Sequence, residues 1–164
     1  MDEIKKILVA LGFSDYAQGI FNYADMLADK LGAELIVANI INSRDVEAVT
    51  VIKNMGYDLD PERYIKEIKE ERRKAFEEVS KNTTLAGDSL KLIVQVGNPA
   101  DELLKIIVRE NVDAVVMGVK GRTDLEHIFI GSVAEKLFRR SPVTVISYRD
   151  EKNRERLAKR IDVT

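Results

Sequence analysis

The sequence predicts an α/β domain, a doubly wound parallel sheet with helices on both faces. Short apolar runs alternate along the chain with longer segments of helical periodicity. The first and fourth of those runs, "ILVAL" and "DAVVMG", are apolar almost throughout rather than at every second position, the pattern of strands covered on both sides. Strands that alternate with helices make a parallel sheet, and right-handed crossovers wind it on both faces. A length of 164 residues suits one ordinary domain, and no internal repeat, low-complexity tract or second domain is visible.

Taken in order, Ile7 to Leu11 is a short branched run that reads as a buried strand. Ser14 stands where a helix cap belongs, and a helix from about Asp15 to Leu31 carries Ile20, Ala24, Leu27 and Leu31 at helical spacing before Gly32 stops it. Glu34 to Ile41 is the second strand. The polar connection from Asn42 to Asp60 holds a short helix over "RDVEAVTVIKNM". Asp60 and Pro61 open the next helix, with proline first. Its apolar stripe is Ile65, Ile68, Ala75, Phe76 and Val79, and its "KEIKEERRK" charges read as a solvated face. "SLKLIVQVG" alternates, with Leu90, Leu92, Val94 and Val96 on one side, as at a sheet edge. Asn98 caps a further helix with Pro99 at its first position. "DAVVMG" follows as the fourth strand, then the helix "VAEKLFRR" and a last strand, "VTVIS".

Charged residues make up 33% of the chain and hydrophobic residues 45%, enough apolar material for one core under a charged surface. The formal net charge is -2, with bases and acids interleaved, so a general nucleic-acid surface is not indicated. There is no cysteine, which excludes disulfides, thiolate metal sites and thiol catalysis. The segment "MDEIKKILVAL" lacks the features of a signal peptide, and no apolar run reaches a membrane-spanning length. A soluble, cytoplasmic protein with no membrane or nucleic-acid partner is the expectation.

The chain holds 9 glycines, and three of them fall within "GVKGRTDLEHIFIGS": Gly118, Gly121 and Gly131, the last followed by Ser132. The first of these follows the fourth strand, at the carboxyl end where a doubly wound sheet takes its ligands. Glycine lets backbone amides approach an oxygen-rich ligand closely. Gly131 and Ser132 precede a helix, whose amino terminus offers unpaired amides and partial positive charge to a phosphate. The Ser132 hydroxyl can cap that helix or bond a phosphate oxygen. Lys120 and Arg122 lie beside the pattern and can add charge. Leu125, Ile128 and Phe129 are spaced so that the intervening segment can fold back onto the core.

This spacing reproduces the ATP-binding signature of the universal stress protein family, which the chain also resembles in "MG" before it, "GSVAEKL" after it, "SPVTVIS" near the end and "KKILVAL…S" at the start. The resemblance covers roughly Lys5 to Tyr148 and implies a five-stranded Rossmann-like sheet in the order 3-2-1-4-5, similar to the adenine nucleotide alpha hydrolases. The universal stress protein domain would then occupy residues 1–148, with 149–164 a charged tail. It also implies phosphate contacts from Gly118, Gly121, Gly131, Ser132 and Val133. Met117 falls at a pocket-lining position, Ile40 where the backbone meets adenine, and Ala10 at a pocket position after the first strand. One position departs. Members that bind nucleotide usually carry an aspartate where this chain has Gly12, and Asp15 lies three residues further on, in the helix start. The resemblance thus implies ATP or another adenine nucleotide as ligand, with weak dependence on magnesium, and a homodimer paired through the last strand, Val143 to Tyr148.

The functional expectation is a nucleotide-binding regulatory or stress-response switch rather than an enzyme, with a slow ATPase as the alternative. The chain has no GxxxxGK[ST] loop and no glycine- and serine-rich loop after the first strand. Its one histidine, His127, sits between Glu126 and Ile128 and reads as a surface residue rather than a general base. A receiver-type phosphorylation module would want an acidic pair after the first strand and an aspartate at the end of the third. A flavin carrier would want aromatics flanking the site, and none occurs from Met117 to Gly121. The tail from Asp150 to Thr164 carries Leu157 and Ile161 four apart, a narrow stripe for one helical turn.

Overall fold

The computed structural model describes residues 3–119 and 131–163. Five strands, β1 (Lys6–Ala10), β2 (Glu34–Asn42), β3 (Leu90–Gly97), β4 (Ala114–Gly118) and β5 (Thr144–Tyr148), form one sheet in the order β3-β2-β1-β4-β5. All four neighbouring pairs are parallel, which is the class and order expected. The order reverses between β1 and β4, and there the helices part company. On one face lie α1 (Ala17–Leu31) and α3 (Pro61–Val79), on the other α4 (Pro99–Arg109) and α5 (Ser132–Arg140).

Alternation along each strand sorts the core into two layers. Ile7 and Val9 of β1 join Leu35, Val37, Phe21 and Ala24 on the α1 face, while Leu8 joins Ile36, Val115, Ile106 and Leu137 on the other. The central strands are covered on both sides, hence their unbroken apolar runs. β3 and β5 are the edges.

The caps follow the sequence with one exception. The Asp60 carboxylate accepts from the Arg63 N–H at 3.0 Å with Pro61 at the first position, and Asn98 caps α4 through the Asp101 N–H. Ser14 does not cap α1. Phe13 adopts a left-handed backbone, with φ of 50°, and the Ser14 carbonyl is engaged in a turn with the Ala17 N–H. The helix therefore begins at Ala17, with Tyr16 before it and no side-chain cap. At its other end Leu31 is exposed rather than part of the apolar stripe, and Gly32 terminates the helix at φ of 63°.

α2 (Ser43–Asn54) leaves β2 without a loop, because Asn42 is both last strand residue and helix cap. None of its residues is buried.

The charged face assigned to α3 needs a correction at Arg72. That residue is 8% exposed and completes the helix's inward stripe, one turn before Phe76. Its guanidinium carbon lies 5.9 Å from the centre of the Phe13 ring, and its Nη1 lies 3.6 Å from the Glu71 Oε1. A long stem lets arginine fill an apolar stripe while its head meets an aromatic face.

The tail also differs from expectation. α6 (Glu151–Ala158) is capped by Asp150 and ends before Ile161, which is exposed, so the stripe of Leu157 and Ile161 is not built within one helix. Eight residues with no buried side chain gain little beyond the cap and the local pairs. Among the described residues no helix is long and apolar enough to cross a membrane.

The Asp60 carboxyl is held below its ordinary pKa, first by the backbone N–H of Arg63 and then by Lys53. A lowered folded-state pKa gives stability that is present at neutral pH and is lost as pH falls through the folded value. Asparagine caps about as well without titrating. The stability advantage of wild type over Asp60→Asn should therefore shrink between pH 7 and the acid side of the carboxylate range, and shrink also in high salt, when the two are compared by urea denaturation.

Candidate functional site

β1 and β4 pair directly, with Ala10 opposite Met117, and Ala10 also opposite Ala38 of β2. β2 continues two residues beyond that level to Ile40 and further to Asn42, where the ladder with β3 ends. The carboxyl end of the sheet is thus stepped, with β2 standing proud beside the shorter β1 and β4. Small residues line the step. Ala10 and Gly118 are half-buried, Met117 is buried, and Gly12 is exposed with nothing within 4 Å of the place a β-carbon would take.

The second half of the pattern is brought to the first by one hydrogen bond. The Gly131 N–H donates to the Val119 carbonyl at 3.1 Å. This sets the amino terminus of α5 directly against the end of β4. Gly131 is the residue before the first turn, with φ of -56° and ψ of 147°, and no side chain caps the helix. Its carbonyl accepts from the Glu135 N–H at 2.9 Å. Ser132 is the first helical residue and exposed, so its hydroxyl does not serve as the cap, the alternative allowed by the sequence. The first amides of an α-helix have no partner within the helix and carry its partial positive charge. Those of α5 lie where β4 delivers Gly118.

The side chains converge as well. Ala10, Ile40, Met117 and Val133 all pack into the core layer beneath α4 and α5. Four residues from four separate elements thus form one apolar wall on one face of the sheet, below the amino terminus of α5. The arrangement offers a flat apolar surface next to backbone donors, which matches a ligand with a planar apolar part and an anionic part.

A model of the Universal stress protein family matches residues 3–149. The chain belongs to that family. Universal stress protein MJ0577 of Methanocaldococcus jannaschii is 30% identical over 152 residues, which span 87% of this chain and 94% of that one. A solved structure of MJ0577 superposes with a TM-score of 0.76 at 26% identity, over 92% of this chain and 99% of the other. Two solved universal stress proteins share the fold at lower identity. One, in complex with cAMP, has a TM-score of 0.60 at 20% identity, covering 90% of this chain and 98% of its own. The other, from Archaeoglobus fulgidus in complex with dAMP, has a TM-score of 0.58 at 18%, covering 90% and 100%.

Within this universal stress protein fold, the structure brings together Ala10, Met117, Gly118, Gly131, Ser132 and Val133, with Ile40 on the taller neighbouring strand. Gly12 stands just past the end of β1. Lys120, Gly121 and Arg122 lie outside the described residues, as do Asp124, His127 and the Leu125, Ile128 and Phe129 spacing. Asp15 is exposed in the turn between β1 and α1. Among the described residues no three His, Cys, Asp or Glu side chains assemble into a group that could hold a metal ion. Two residues that tie chain segments together at this end of the sheet were not singled out from sequence. Val119 acts through its carbonyl, which no side-chain pattern reports. Asn39 is a buried amide in β2 whose Nδ2 donates to the Leu11 carbonyl at 2.7 Å. Its signal was present, a lone amide inside the apolar run "ELIVANII".

Proposed function

We propose that this universal stress protein binds an adenine nucleotide at the carboxyl end of β1 and β4, and that occupancy of this site, rather than turnover, is what it signals. The observation that carries the reading is the bond from the Gly131 N–H to the Val119 carbonyl. It joins the strand end to the uncapped helix amino terminus, a cradle for phosphate. The base would lie along the wall of Ala10, Ile40 and Met117, with the Ile40 backbone at its edge. The phosphates would pass close over Gly131, which has no side chain to obstruct them, and meet the amides of Ser132 and Val133; the family pattern adds Gly121, with Lys120 and Arg122 as neighbouring charges. Support comes from the solved relatives named for complexes with cAMP and dAMP.

ATP is the ligand the glycine pattern favours. A second reading is an adenosine monophosphate, favoured by those two complexes and by the absence of a carboxylate at Gly12. The protein acts in the cytoplasm as a regulatory switch, as a homodimer paired through the open edge of β5. Catalysis is not part of the proposal. None of the side chains gathered at the described part of the site is a general base or a nucleophile beyond the Ser132 hydroxyl, which has no base beside it among the described residues.

Nucleotide released on denaturation and identified by mass spectrometry tests the ligand class directly. The Gly131 backbone lies close to the polyproline region, which other residues adopt without strain. Gly131→Val should therefore fold normally yet lose measurable ATP and AMP binding in calorimetry. Affinity equal to wild type would place the phosphates elsewhere.

With Gly12 where an aspartate would stand, affinity for ATP should be similar with excess magnesium and with a chelator. A drop of more than about tenfold on chelation, roughly 1.4 kcal/mol, would mean that another acid holds a cation.

Pairing through β5 is tested by proline at an edge strand, since adjacent residues point their N–H groups to opposite sides. Of Val145→Pro and Ile146→Pro, the one whose N–H faces the open edge should keep the fold and sediment as a monomer. Two folded dimers would point to a different interface.

A further inference from the structure

Asn39 lies in β2 immediately before Ile40, and alternation turns its side chain to the face opposite the apolar wall. Leu35 and Val37, which share its parity, are buried in the layer beneath α1, whereas Ala38 and Ile40 belong to the layer beneath α4 and α5. Asn39 is 4% exposed. Its Nδ2 donates to the Leu11 carbonyl at 2.7 Å, and the Leu11 N–H donates to the Ala38 carbonyl at 3.0 Å. Its Oδ1 is buried and no hydrogen bond reaches it.

This combination is costly for a residue whose only task is to fill a core. A buried acceptor without a donor forfeits its hydration, whereas an apolar side chain of the same shape would not. What the amide does accomplish is local. β1 ends at Ala10, so beyond it the chain has no strand partner except at Leu11, whose N–H and carbonyl are both held by β2 or its side chain. The next residue, Gly12, is exposed and has no side chain to anchor it, and Phe13 follows in the left-handed region. The Phe13 ring packs on the core and meets Arg72, so Gly12 is the residue of this rim without a side-chain anchor, and its backbone depends on how firmly Leu11 is held. The Asn39 amide is the last fixed point before Gly12.

We infer that Asn39 is a positioning residue of the nucleotide site. It holds the Leu11–Gly12 segment at the height of Ile40, so that the rim of the base pocket exists before the ligand arrives. The inference rests on the adenine-nucleotide reading above, and it assigns the amide no contact with the ligand. It works from the rear face of the sheet, through the Leu11 carbonyl just past the end of β1.

Removing the amide leaves the segment to be ordered at the moment of binding, and fixing about one residue's backbone costs roughly tenfold in affinity. The experiment compares wild type with Asn39→Leu by hydrogen exchange of the ligand-free protein and by calorimetry with ATP and with AMP. The expected result is faster exchange at Gly12 to Ser14, unchanged exchange in the centre of β1 and β4, and an affinity about tenfold lower. Wild-type affinity in Asn39→Leu overturns the inference. So does an affinity loss accompanied by faster exchange throughout the core, because the amide would then serve the fold as a whole. If Asn39→Leu does not fold, Asn39→Ala is measured by the same two readouts and judged by the same outcomes. A wild type that binds neither nucleotide refutes the binding reading itself, a result distinct from tight wild-type binding that the substitution leaves untouched.

Discussion

The centre of this sheet is dry on both sides. Ile7, Leu8 and Val9 of β1 and Ala114, Val115 and Val116 of β4 are fully buried, so their backbone groups can be satisfied only by neighbouring strands. That requirement puts β1 and β4 in the middle of a parallel ladder. It also forces their continuations to opposite faces, α1 covering one layer and α5 the other. Parallel strands bring all their carboxyl ends to one side. The crevice between two chains that leave in opposite directions is therefore a consequence of burying the core, and the site occupies the gap the topology cannot close.

What fills that gap is small. Ala10, Gly12, Gly118 and Gly131 line it, and the single bond from Gly131 to Val119 brings the amino terminus of α5 against it. The layers on either side of the sheet differ in kind. Beneath α4 and α5 the buried residues among those described are all apolar, and the wall of Ala10, Ile40, Met117 and Val133 continues that layer to the crevice. On the α1 face lie the two buried polar residues among the described ones, Asn39 within β2 and Arg72 reaching Phe13 from α3. Both act on the segment that follows β1. One grips the Leu11 carbonyl, the other lies under the Phe13 ring. The turn with no regular structure is thus supported from a face that the apolar wall does not share.

Strand and helix types were legible because burial on both sides and amphipathic periodicity leave direct marks on composition. The caps at Asp60 and Asn98 were legible because their chemistry is local to three or four residues. Ser14 misled for the same reason. Its side chain suits a cap, but the left-handed backbone at Phe13 commits the following residues to a turn, and a backbone angle leaves no mark in a serine. Arg72 misled because a charge in a run of charges reads as solvated, and only the position of Phe13, far away in sequence, offers its guanidinium a ring. Ile161 lay one turn too far along, beyond the end of α6 at Ala158.

By itself the sequence determined the class of the fold, the strands that lie at its centre and the clustering of glycines after the fourth strand, because each follows from residue types repeated at a local spacing. The family followed from the same spacing, and the match over residues 3–149 states it independently. Only the tertiary structure decided that Ala10, Ile40, Met117 and Val133 share one wall, that Gly131 bonds to Val119, and that Asn39 serves Leu11 across 28 residues of chain. These are contacts between elements distant in sequence. They depend on the register of β1 against β2 and β4, and a register is a property of the assembled ladder, which no single segment contains.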